Sequence, residues 1–140
     1  MIAVFDYGAG NLRSVANALE ELRAPYMLVR DAGGLRRAEK IILPGVGHFG
    51  QIMRALEEMQ ARATLLERIR AGTPFLGVCL GLHALFRASE EAPGMPGLGL
   101  IAETIRRFPK EARTPHMGWN ELEPRRASRP GRLANRARRR

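Results

Sequence analysis

Residues 73–86 read TPFLGVCLGLHALF, and this stretch decides how the rest of the chain is read. TPFLGV (73–78) is a short, wholly apolar run of the kind found in a strand buried on both faces. LGLHALFRAS (80–89) reads as a helix. The chain's one cysteine, Cys79, falls on the turn between them, with Gly77 two residues before it and Gly81 two after. A nucleophile on a strand-to-helix turn is held in a strained conformation with its reactive atom above the sheet. Glycines on either side let strand and helix close around it. The backbone N–H of Leu80 faces the same space and can serve as one oxyanion donor. The plainer alternative is an inert cysteine packed as a small hydrophobe. The strand–turn–helix setting favours the nucleophile.

Working outward, IAVFDYG (2–8) is an apolar strand ending in a turn. Asn11 is placed to cap a helix over 12–23, where Leu12, Val15, Ala16, Leu19 and Leu22 share one face. PYMLVR (25–30) and KIILPG (40–45) are further strands, and 50–71 is one broken helix or two. After residue 93, GLGL (97–100) and TIRRF (104–108) read as short strands and PHMGWNELE (115–123) as an extended segment. Apolar strands alternating with helices imply an α/β protein whose parallel sheet is covered on both sides. Ligands then bind at the carboxyl ends of the strands. Three turns fall there: DYGAGN (6–11), LPGVGHFG (43–50) and GVCLG (77–81). The backbone N–H groups of the second can bind an anion or a developing oxyanion. The first lacks the G-x-G-x-x-G spacing, which argues against a dinucleotide.

The net charge of +9 is unevenly spread. Residues 1–123 carry 15 Lys/Arg and all 14 Asp/Glu, whereas 124–140 carry 8 Arg and no acid. We therefore expect one domain over 1–123 and an Arg-rich disordered tail over 124–140. A near-neutral body argues against nucleic acid as the main partner. A single cysteine makes no internal disulfide, and MIAVFDYGAG lacks the basic and apolar regions of a signal peptide or membrane span. A cytoplasmic protein without membrane contact is expected. No His/Cys/Asp/Glu group has metal-ligand spacing, so neither metal nor cofactor is expected. A cysteine nucleophile needs a base, and His48, His83 and His116 are the candidates; spacing does not choose among them.

With these motifs in hand, the chain resembles the class I glutamine amidotransferases and, more narrowly, the glutaminase subunits of imidazole glycerol phosphate synthase. DYGAGNLRS, LPGVGHFG, GVCLG and PHMGWN carry the likeness, over roughly residues 1–123. The resemblance implies a three-layer, flavodoxin-like α/β domain with a mostly parallel sheet. It implies that Cys79 attacks the side-chain amide of glutamine, and that the N–H groups of Val46 and Leu80 hold the oxyanion. Gly45, Gly47 and His83 would contact the substrate, His83 standing where the family has Gln. Ammonia would pass to a cyclase (β/α)₈-barrel subunit that makes imidazole glycerol phosphate and aminoimidazole carboxamide ribotide in histidine biosynthesis. His116 to Asn120 would lie near that partner. The resemblance also places the triad's His and Glu in a His-Pro-Glu motif beyond PHMGWN. Residues 124–140 hold no such motif, so the C-terminal part of the fold is expected to be missing. Two origins of the tail stay open: a shift of reading frame near residue 124, or a genuine basic arm. The alternative function is an inactive remnant or scaffold.

Overall fold

The computed structural model describes residues 1–115, 118 and 119. The chain divides into two compact units, Met1–Arg106 and Arg107–Arg140. The boundary expected at 123/124 lies outside the described residues, as do the tail and the segment His116, Met117 and Asn120.

In the first unit, the strands β1 (Ile2–Phe5), β2 (Tyr26–Val29), β3 (Lys40–Gly45) and β4 (Phe75–Cys79) form a parallel sheet in the order β2-β1-β3-β4. The connections carry α1 (Leu12–Glu21), α2 (Ala32–Arg37), and then α3 (Phe49–Glu58) with α4 (Arg62–Arg70). From β1 the chain steps one way to β2, then doubles back past β1 to β3 and on to β4. Right-handed crossovers therefore put α1 on one face and the other helices opposite. Packing agrees: α2 lies against α4. Side chains alternate along each strand. One set, with Ala3, Phe5, Ile41, Leu43 and Val29, joins Leu35, Phe49, Ile52, Leu56 and Leu65 in a single core. The other set faces α1, where Val4 and Leu19 are buried. These are the three layers and the parallel sheet expected from the sequence.

The remainder of the first unit differs from its expected form. The helix expected over 80–89 stops after one turn, α5 (Leu80–His83), and residues 86–89 form a strand, β5 (Phe86–Ser89). β5 pairs in parallel with β6 (Ile101–Ile105) as a separate two-stranded sheet. GLGL is not a strand; it is the approach to β6, held by Gly97 N–H donating to Arg87 O at 2.8 Å and Leu98 N–H donating to Ala84 O at 2.8 Å. A Cβ at Gly97 would stand 2.0 Å from Phe86 O, so only glycine passes there. α2 is an element the sequence reading did not include. Residues 50–71 are two helices, separated where Gln60 turns to φ 52°.

In the second unit, Ala112 N–H closes a turn onto Pro109 O at 3.0 Å. Phe108 and Trp119 are exposed.

Candidate active site

β3 and β4 run side by side with Gly45 opposite Cys79. Beyond that pair the two strands part into the turns that carry the candidate residues. At Cys79 the backbone has φ 53° and ψ −115°, a region where a side chain is strained. The strain is fixed by what surrounds it. A Cβ on Gly77 would lie 2.6 Å from Gly81 O, and one on Gly81 would lie 1.8 Å from Leu43 O. The one-turn helix thus rests directly on the backbones of β4 and β3. Cys79 is exposed rather than buried as a small hydrophobe. Leu80 opens α5, whose first N–H groups have no capping side chain.

The turn after β3 lies beside this elbow. Gly45 is closed in on three sides: a Cβ there would meet Tyr7 Oη at 2.8 Å, Gly81 N at 3.0 Å and Leu80 Cβ at 3.0 Å. Val46, the next residue, is tied to the turn after β1. Its N–H donates to the Tyr7 hydroxyl at 3.1 Å, and that hydroxyl donates back to Val46 O at 3.2 Å. Gly47 has φ 100°, which glycine adopts without strain. The structure therefore gathers Gly45, Val46, Cys79 and Leu80 at the carboxyl ends of β3 and β4.

Tyr7 and Asp6 were not singled out from the sequence. Tyr7 is buried, and burial raises its hydroxyl above the ordinary tyrosine pKa, the hydrogen bond to Val46 opposing this and the charge of a Cys79 thiolate adding to it. Asp6 is 4% exposed; it accepts from Gly8 N–H at 2.9 Å and pairs with Arg30, Nε donating at 2.7 Å. That carboxylate fastens the turn on which Tyr7 sits. The available signal was the polar pair Asp6-Tyr7 closing an apolar strand, since a buried carboxylate needs a partner.

The histidines separate. His48 caps α3, its Nδ1 accepting from Gly50 N–H at 3.1 Å. His83 ends α5 and is exposed. Among the described residues no hydrogen bond joins either to Cys79. His116 lies outside the described residues. Among the described residues no three His, Cys, Asp or Glu side chains gather to hold a metal ion, and no helix is long and apolar enough to cross a membrane. A surface cavity of about 340 Å³ lies elsewhere, lined by Met53, Arg54, Glu57, Arg62, Met95 and Pro96 among others, with none of the three turns in its wall.

Fold and elbow together define a class, and comparison with known proteins states it. The model of the glutamine amidotransferase class-I family matches residues 3–129. The chain belongs to the class-I glutamine amidotransferase family. Among curated proteins it is similar to imidazole glycerol phosphate synthase subunit HisH of Methanothermobacter thermautotrophicus, 49% identical over 87% of this chain and 61% of that protein. The subunit of the same name from Deinococcus radiodurans is 46% identical over 89% of this chain and 59% of that protein. The chain thus spans about three-fifths of the length of these relatives. A solved structure described as a glutamine amidotransferase shares the fold, with TM-score 0.66 at 24% identity over 76% of this chain and 56% of its own.

Proposed function

We propose that this chain is the glutamine-hydrolysing part of an imidazole glycerol phosphate synthase, with Cys79 as nucleophile and ammonia as the product handed on. The Cys79 thiolate adds to the side-chain amide carbon of glutamine. The oxyanion is met by the N–H groups of Leu80 and Val46. The C–N bond then breaks, a proton from solvent water joins the departing nitrogen, and ammonia leaves. Water hydrolyses the resulting thioester, which releases glutamate and restores the thiol. Gly45, Gly47 and His83 border the space for the substrate. Ammonia passes to a (β/α)₈-barrel cyclase subunit as partner. The observation that carries this reading is the strained, exposed Cys79 at the tip of β4, clamped by Gly77 and Gly81. The relatives are named as subunits of imidazole glycerol phosphate synthase, which supports a role within that enzyme alongside another subunit.

The test is ammonia release from glutamine by the chain mixed with a barrel cyclase, together with mass analysis after treatment with a chloroketone analogue of glutamine. We expect a covalent adduct on Cys79, and loss of both adduct and ammonia in Cys79→Ser. Equal ammonia release by Cys79→Ser rejects the mechanism. A second reading, a subunit that binds its partner without turnover, is favoured by the lack of a hydrogen bond between Cys79 and His48 or His83 among the described residues. An adduct on Cys79 without ammonia release would support it.

A further inference from the structure

We propose that Tyr7 is a positioning residue whose hydroxyl holds Val46 by both its backbone N–H and its C=O, keeping that N–H from an oxyanion on Cys79 until the substrate draws it away. The inference rests on the reading of Cys79 as nucleophile. The two hydrogen bonds, 3.1 Å from Val46 N–H and 3.2 Å to Val46 O, occupy both polar groups of one residue with one side chain. They span 39 residues of sequence and join the turn after β1 to the turn after β3. The grip is firm because Tyr7 is only 8% exposed. Its hydroxyl oxygen stands 2.8 Å from the place of a Cβ on Gly45. Burial raises the phenol above its ordinary range, so it stays both donor and acceptor at neutral pH.

Two consequences follow from the chemistry. A negatively charged oxygen is a stronger acceptor than a phenol, so the exchange of partners occurs as charge develops on the substrate. The exchange is resisted, because it takes from a buried hydroxyl the one N–H it accepts from. Tyr7 thereby sets how readily the second oxyanion donor becomes available.

The test compares two reagents on the purified chain. A chloroketone analogue of glutamine forms an oxyanion as the thiolate adds to its carbonyl. Iodoacetamide alkylates the same thiol by direct displacement, without one. In Tyr7→Phe we expect the chloroketone to label Cys79 about three- to tenfold faster, the size of one neutral hydrogen bond. Iodoacetamide labelling should be unchanged. In a Val46→Pro background, which lacks the N–H, Tyr7→Phe should change neither rate. A chloroketone rate that is unchanged or lower in Tyr7→Phe overturns the proposal. Absence of any chloroketone adduct on the parent chain overturns the nucleophile reading itself, which separates the two failures. Should Tyr7→Phe not fold, the parent chain decides by nuclear magnetic resonance. On adduct formation the Val46 amide and Tyr7 ring signals must both shift; an unmoved Tyr7 ring overturns the proposal.

Discussion

At the scale of single residues, Cys79 shows stability given up for position. Its φ of 53° and ψ of −115° cost a side-chain-bearing residue about 1–3 kcal/mol. Its thiol is exposed and packs little. Cys79→Gly removes the strain and restores part of the cost as chain entropy, about 0.5–1 kcal/mol. We expect the variant to be more stable by about 1 kcal/mol in urea unfolding, while the site loses its nucleophile. Tyr7 carries a pH signature of the same site. Its folded pKa lies above the unfolded value of about 10. The protonated phenol is therefore the form the fold favours. The stability it contributes is complete below pH ~10 and is lost as pH rises through the higher folded value. Unfolding free energy should fall more steeply above pH 10 in the parent than in Tyr7→Phe.

At the scale of elements, the start of α3 is built by its own cap and by one distant segment. His48 accepts from Gly50 N–H, and Glu91, from the loop after β5, accepts from Phe49 N–H at 2.7 Å. A carboxylate there also meets the positive end of the helix. Glu91→Ala should lower stability by about 1 kcal/mol, read by thermal or urea unfolding. The same loop shows where sequence reading stops. The four parallel strands, α1 and the α3–α4 break were legible because each is marked locally, by an apolar run, a cap or a helical period. β5 was not. ALFRAS suits a helix or a strand, and its pairing with Ile101–Ile105 is set by residues more than ten positions away. α2 was hidden by Gly33 and Gly34, poor helix formers; Gly34 is required because a Cβ would lie 2.6 Å from Val29 Cβ. Its legible mark was Asp31, whose carboxylate caps Gly34 N–H at 2.7 Å. At the site, Cys79 and its glycines could be read, since the strand and helix frame them. Tyr7 could not, because its partner Val46 is brought near only by the pairing of β1 with β3.

At the scale of the whole molecule, the two faces of the main sheet are unequal. The face under α3, α4 and α5 is packed. On the α1 side, Leu28, Leu76 and Val78 are 52%, 55% and 40% exposed, and β4 is an edge strand among the described residues. Unpaired edges beside apolar surface promote association. Leu76→Lys should shift sedimentation of concentrated samples toward the monomer while changing unfolding free energy by no more than about 0.5 kcal/mol.

The approach to β6 bears on how the molecule is made. Leu98 is bonded to Ala84, and Leu100 and Ile101 to Leu85, so the exit from the one-turn helix is fastened by chain that emerges later. On a ribosome delivering residues one at a time, the first three strands can dock early. The stretch that follows the one-turn helix gains these bonds only once Ile101 has left the exit tunnel, after the strands and glycines that clamp the sulfur-bearing bend have already emerged.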